Sequence, residues 1–149
     1  MIEKIDELVK EGLLKESGVI KPNRKLYEFD HNKVKQIFKQ LLEKLGEKGF
    51  YLATIVGTDM LKDKKIRLDY YVVVLPEETT IVLRTFIDRD NPEIDSILDL
   101  VPAALAPECE IYDLLGVIFK GNPALRRPFF APEELVEKGI YPLRKDARV

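Results

Sequence analysis

KIRLDYYVVVL, residues 65–75, alternates two sets of side chains and is rich in β-branched and aromatic residues. This period of two predicts a β-strand. The short link Pro76-Glu77-Glu78 leads into a second such run over residues 79–88, so the two runs are expected to form an antiparallel hairpin. Outward from this hairpin, the sequence predicts a strand over 50–57, a polar loop over 59–64 and a short strand over 24–29.

Helical patterns flank these strands. The most regular one follows Asp30, a good N-cap, with apolar residues at a 3.6 period: Val34, Ile37, Phe38, Leu41, Leu42 and Leu45. Further helices are expected over 2–14, from Asn91-Pro92 to Pro102, and from about Pro107 to a break near Gly116. The expected fold is α+β: a mostly antiparallel sheet of three to four strands packed with helices, plus an extended C-terminal arm.

Composition favours one folded domain. The chain has 149 residues, of which 46% are hydrophobic and 34% charged, a balance typical of a protein with a real core. No apolar run approaches the ~18 residues of a membrane span, and the charged, periodic start is unlike a signal peptide. The single cysteine excludes an internal disulfide. The expected location is therefore cytoplasmic, or on a cytoplasmic face through partners. Many Lys and Glu with few Asn and Gln are common in hyperthermophile proteins.

Charge is distributed unevenly. Residues 120–149 hold seven Lys or Arg and four acids, whereas residues 1–119 hold 17 bases and 22 acids. Residues 120–149 also contain four prolines, which favour extended backbone, although a helical turn or two is expected after Pro132. The sequence therefore predicts an acidic body over 1–119 and a basic arm over 120–149 within the same domain. An acidic body is not typical of a nucleic-acid binder. The basic arm is instead expected to meet an acidic surface.

Two alternative functions start from isolated side chains. Glu110 and Asp113 share one face of a predicted helix, and Cys109 lies near its start, so a freestanding small enzyme is one alternative. His31, the only histidine, is distant in sequence, and acids in a first helical turn are commonly explained by the helix dipole. Aromatic residues of the predicted sheet suggest a ferredoxin-like nucleic-acid module as another alternative: Phe50, Tyr51, Tyr70 and Tyr71.

The chain from Ile94 to Asp146 resembles the 30 kDa subunit family of respiratory complex I, in the form found in archaeal membrane-bound [NiFe] hydrogenases and related sulfane-reductase-type complexes. The signature residues are Glu108, Glu110, Tyr112, Asp113 and Gly116, followed by Leu125-Arg126-Arg127 and Pro142-Leu143-Arg144-Lys145-Asp146. Cys109, Ala106 and Asn122 replace the usual arginine, tryptophan and histidine, as in archaeal hydrogenase-type relatives.

The resemblance implies a non-catalytic subunit without a cofactor of its own. Its partners would be the large hydrogenase-like or 49 kDa-like subunit and a small iron–sulfur subunit, in the peripheral arm of a membrane complex. Those partners would carry the iron–sulfur clusters, and NiFe in a hydrogenase. The complex would couple electron transfer to ion pumping from the cytoplasmic face of the membrane.

The arm is expected to bind the large subunit, because aromatic residues on a proline-extended tail need to be covered. Its apolar anchors would be Phe129, Phe130, Tyr141 and Leu143, and its cations Arg126, Arg127, Arg144 and Lys145 would pair with acids of the partner. The signature helix should contribute structural residues, and Asp113 or Glu110 should pair with an arginine of the arm.

Overall fold

The computed structural model describes residues 2–148 and shows a mixed five-stranded sheet with the order β1-β2-β5-β4-β3. The strands are β1 Lys15–Ile20, β2 Arg24–Glu28, β3 Phe50–Met60, β4 Lys65–Val74 and β5 Thr79–Asp88. Neighbouring strands are antiparallel except β2 and β5, which are parallel. The expected α+β class and the β4–β5 hairpin are confirmed, with five strands in place of three to four.

Four helices accompany the sheet: α1 Glu3–Lys10, α2 Val34–Leu45, α3 Leu105–Leu115 and α4 Glu133–Glu137. The apolar faces of α1, α2 and α3 pack with alternate residues of the strands into one core. Tyr70 is fully buried there, with its ring beside those of Phe29 and Phe38. Phe50 is also buried, so two of the four aromatics proposed as a nucleic-acid platform are core residues.

The helix predicted between Asn91 and Pro102 is wrong. Residues Glu93–Asp95 form strand β6, which pairs in parallel with β7, residues Ile118–Lys120. Ile94 and Ile97 are buried as expected. However, the amide of Ser96 donates to the Lys120 carbonyl, and the amide of Ile97 donates to the Glu108 side chain. These tertiary hydrogen bonds outweigh a helical spacing of apolar residues.

One strand is absent from the sequence prediction, and another ends later than expected. The sequence does not predict strand β1, because its mostly polar, exposed residues carry no alternating apolar signal and it pairs only with β2. Strand β3 extends to Met60, so Asp59 belongs to a strand rather than to the predicted polar loop. Asp59 is buried, because its carboxylate forms an ion pair with Arg89 in place of its contacts with water.

Residues 121–148 return to the body and contain one short helix, α4. The amide of Leu143 donates to the Leu114 carbonyl at the end of α3, 3.0 Å away. Within α4 and the turn after it, the amide of Ile140 donates to the Leu135 carbonyl, and Leu135 is buried. Among residues 2–148, no helix is long and apolar enough to cross a membrane.

Candidate interaction site

Helix α3 carries the signature residues and lies close to β3. Gly57 of β3 makes this approach possible, because a Cβ there would meet Leu115 Cδ1 at 2.6 Å. The helix ends at Gly116, whose φ of 80° is left-handed. The Tyr141 ring lies 3.1 Å from the position of a Cβ on Gly116, so glycine is favoured there by both backbone conformation and space.

Glu108 is a fully buried carboxylate that fastens the start of α3 to two loops. It accepts hydrogen bonds from the Ser96 hydroxyl, from the Ile97 amide at 3.0 Å and from the Asn122 side-chain amide at 3.0 Å. Asn122 in turn accepts from the amide of Ala124. Burial raises the pKa of Glu108, although the three donors oppose this shift. This signature acid therefore joins α3 to the ends of β6 and β7.

Asp113 is the second buried carboxylate of α3, and it anchors the C-terminal segment. It accepts from the amides of Phe130 at 2.6 Å and Ala131 at 2.7 Å, and from Arg127 Nε at 3.2 Å. Burial alone would raise the pKa of Asp113, but these backbone amides and Arg127 hold it below its ordinary value. The expected pairing of Asp113 or Glu110 with an arginine of the arm is present, and Asp113 is the partner. Glu110 is exposed and Tyr112 is half-buried.

A second anchor holds the Pro142–Asp146 motif. Arg89 binds both oxygens of Asp59, at 2.6 and 3.0 Å, and also binds Asp146 at 2.7 Å. The amide of Lys145 donates to Asp59, 2.7 Å away. Arg89 thereby lowers the pKa of Asp59, and it lowers that of Asp146 as well. The two acids raise the pKa of Arg89 further above its ordinary range.

Arg144 completes this anchor from the C-terminal side. Its Nε donates to the Leu115 carbonyl at 2.8 Å, at the end of α3, and its Nη1 donates to the Arg89 carbonyl at 3.3 Å. A cation at this place satisfies a carbonyl that the helix leaves unpaired and interacts favourably with the helix dipole. The motif therefore joins α3 to the chain just after β5.

The eight residues predicted to bind a partner divide into three groups. Arg127, Arg144 and Tyr141 contact the chain's own body: Arg127 donates to Asp113, Arg144 donates to the Leu115 carbonyl, and the Tyr141 ring lies against Gly116. Arg127 also lies 4.1 Å above the Tyr141 ring and donates to the Ile140 carbonyl. Four others are exposed: the cations Arg126 and Lys145, together with Phe130 and Leu143, of which 66% and 54% are accessible. Half-buried Phe129 lies under Arg126 and against the Phe130 ring.

The sequence does not reveal the anchoring role of four residues: Asp59, Arg89, Ser96 and Asn122. Their partners lie 12 to 86 residues away along the chain. Such separations leave no periodic or local pattern. The resemblance marked Asn122 only as a replacement of the usual histidine, without a partner for its side chain.

The residues of the enzyme alternative do not form a catalytic arrangement. Cys109 is buried, its thiol faces the Ala124 carbonyl at 3.5 Å, and burial raises its pKa, which opposes a reactive thiolate. Asp113 is occupied by backbone amides, and Glu110 is exposed. His31 begins the turn before α2 and lines a polar cleft with Asp88 and Glu93, on other elements. Within the described part of the chain, no group of three or more metal-ligating side chains comes together.

The fold and this site define an α+β scaffold. Helix α3 holds the C-terminal segment of the chain against the body, and part of that segment stays exposed. Comparison with known proteins gives the family. A family model described as the respiratory-chain NADH dehydrogenase 30 kDa subunit matches residues 27–149. The chain belongs to this family, whose members are subunits of membrane-bound respiratory complexes, as the resemblance indicated.

Individual relatives cover most of the chain. The C subunit of NADH-quinone oxidoreductase from Moorella thermoacetica is 35% identical over 76% of this chain and 75% of its own length. The C subunit of the F420H2 dehydrogenase from Methanosarcina mazei is 29% identical over 89% of this chain and 81% of its own. A solved chain of the membrane-bound sulfane sulfur reductase, an archaeal respiratory membrane complex, superposes with a TM-score of 0.80, at 25% identity, over 99% of this chain and 85% of that one.

Proposed function

We propose that this chain is a non-catalytic assembly subunit that docks on the large catalytic subunit of a hydrogenase-like or complex I-like oxidoreductase. The observation that carries the proposal is that the anchored C-terminal segment leaves large apolar side chains open to solvent. Phe130 and Leu143 are exposed on it, although the segment that carries them is held by Asp113 and by Asp59. A rigidly held apolar patch gives up little conformational entropy when it binds.

We name the exposed set Phe130, Leu143, Arg126 and Lys145 the docking patch. Large apolar side chains flanked by arginine and lysine are typical of the centre and rim of a protein interface. The cations favour a partner surface that carries carboxylates. Arg127 and Arg144 have a different role in this proposal: they hold the patch in place from within the chain.

In the complex, a small iron–sulfur subunit would lie beside the large subunit. The iron–sulfur clusters, and nickel and iron in a hydrogenase-type complex, would belong to these partners, while this chain binds no metal or flavin. It would support electron transfer coupled to ion pumping by holding the large subunit in position at the cytoplasmic face of the membrane. The archaeal sulfane reductase chain, which matches almost the whole fold, supports an assembly of this type.

The docking patch can be tested by point substitutions in the complex. Phe130→Asp combined with Leu143→Asp places two charges where apolar contact is expected, and recovery of the large subunit with the tagged chain should fall at least about tenfold. The matched control is Val19→Asp, because Val19 is 65% exposed on β1, at the opposite edge of the sheet from β3. Undiminished recovery with the double variant would show that the patch does not hold the partner.

Point substitutions are preferable to truncation after Lys120. The segment beyond Lys120 supplies Asn122 to Glu108 and Arg127 to Asp113. Its removal would leave two buried carboxylates without these partners, so loss of assembly could follow from unfolding of the body.

A further inference from the structure

Strand β3 is an edge of the five-stranded sheet, and α3 and the turn at Pro102–Ala104 pack near it without adding a strand. The sheet order ends at β3, and among residues 2–148 β3 exchanges backbone hydrogen bonds with β4 alone. An edge strand presents a row of unpaired N–H and C=O groups to which another extended chain can pair. This edge is long, from Phe50 to Met60.

The sequence of β3 lacks the residues that usually block edge pairing. From Phe50 to Thr58 there is no charged residue and no proline. The opposite edge strand, β1, carries Lys15 and Glu16 within a mostly exposed sequence. Charged side chains, prolines and β-bulges are common means by which proteins prevent such pairing, and of these β3 has only a bulge between Phe50 and Thr58. The one irregularity in β3 is a shift of register at Ala53, which divides the edge into two parts.

An apolar cleft adjoins each part of this edge. The first, of about 320 Å³, lies beside Tyr51 and Leu52 and is closed by Leu100 and Pro102. The second, of about 160 Å³, lies beside Ile55 and Val56. Its other walls come from α3 and the C-terminal segment, and include Leu114 and Leu143. Exposed apolar atoms border both clefts, because 51% of Tyr51 and 41% of Val56 are accessible.

Both clefts have the same sign of charge. Glu47 is the one charged residue that lines the first cleft, and Glu110 is the one that lines the second, within the described part of the chain. Both carboxylates are exposed. A segment that fills the clefts would therefore find apolar walls and one uncompensated carboxylate at each position, which favours lysine or arginine beside its apolar side chains.

We propose that the β3 edge receives an extended, basic and apolar segment of a neighbouring subunit as a sixth strand of the sheet. Two bulky apolar side chains, about four residues apart, occupy the clefts, since Leu52 and Val56 are ~13 Å apart along a strand. Backbone hydrogen bonds supply affinity, and the clefts supply specificity. This inference rests on the proposed function, because the segment belongs to a subunit of the same complex. It uses the backbone edge of β3, and Leu143 is the one residue of the docking patch that lines a cleft.

Hydrogen–deuterium exchange on the purified complex and on the isolated chain tests the proposal. Amides within residues 51–58 should exchange at least about tenfold more slowly in the complex, while β1 should exchange equally in both and serve as the internal control. Equal exchange of residues 51–58 in both samples overturns the proposal. The docking patch is read separately from a peptide of residues 126–131, none of which lines either cleft, so the two proposals fail independently.

A substitution and a cross-link identify the occupant. Ala53→Lys puts a charge on the exposed edge and should reduce recovery of the complex at least about tenfold, whereas Val19→Lys on β1 should not. Should Ala53→Lys fail to fold by circular dichroism, the exchange measurement on the unaltered chain decides. A photo-cross-linker at position 56 should capture a segment of another subunit that contains bulky apolar residues with Lys or Arg. Capture of a second copy of this chain, or of a folded helix, overturns the proposal.

Discussion

Arg127 and Asp113 form a buried ion pair between the C-terminal segment and α3, with 3.2 Å between Nε and the carboxylate and side chains that are 9% and 0% exposed. The same carboxylate accepts two backbone amides that follow Arg127 in sequence. Asp113, a signature acid of α3, therefore binds the backbone of residues 130–131 and holds the exposed Phe130 in place. This relationship connects the signature helix to the proposed docking patch.

Replacement of Asp113 by Asn should destabilise the chain by about 3–5 kcal/mol, because it leaves the Arg127 charge buried without its partner. Since the pKa of Asp113 is lowered below 3.8, its stabilisation is fully present above that pH and is lost as pH falls through the folded value. Urea unfolding at neutral pH measures the effect. The control Glu110→Gln alters an exposed acid and should change stability by less than about 0.5 kcal/mol. Equal small effects of both changes would contradict a structural role for Asp113.

Glu108 should show the opposite dependence on pH. Its pKa is raised above 4.5 by burial, so the stability it confers is greatest below that pH and declines as pH rises through the folded value. Glu108→Gln does not titrate, so the advantage of the unaltered chain over this variant should shrink between pH 4.5 and pH 8. Unfolding curves of both proteins at the two pH values measure this. An advantage that grows with pH would mean that Glu108 is stabilised as the anion.

Release of the Asp59 anchor should free the Pro142–Asp146 motif. Asp59→Asn weakens the ion pair with Arg89 and the hydrogen bond from the Lys145 amide. Because the motif then opens more often, trypsin should cut after Arg144 or Lys145 several times faster. The control is Asp63→Asn, at an exposed position in the turn after β3. If both variants are cut at the rate of the unaltered chain, Asp59 does not hold the motif.

Gly116→Ala should be more harmful than Gly139→Ala. Both glycines have positive φ, 80° and 69°, so each substitution has a backbone cost of about 1 kcal/mol. A Cβ at Gly116 would also press against the Tyr141 ring, whereas the space at Gly139 is open. The difference between the two melting temperatures measures the contact of α3 with the motif. Equal losses would indicate that Tyr141 moves aside without cost.

Much of the sheet and of α2 could be predicted, because their apolar residues repeat with a period of two or of 3.6 along a continuous stretch. Ile94, Ile97 and Val101 have helical spacing yet lie in a strand and turn, because Ser96 and the Ile97 amide bind Glu108, a residue further along the chain. The signature marked Asp113, and the charge of the arm indicated an arginine partner. Neither the signature nor the charge of the arm could indicate Arg89, which follows β5 and meets Asp59 and Asp146 only after folding.

Purification at native abundance tests whether this chain serves as a subunit of a membrane respiratory complex. A tagged chain should be recovered from the membrane fraction with a large catalytic subunit and an iron–sulfur subunit in equal molar amounts, as measured by quantitative mass spectrometry. Redox activity should remain with the assembly and be absent from the released chain. Recovery of the chain alone with an activity of its own, or together with nucleic acid, would show that it is not a subunit of such a complex.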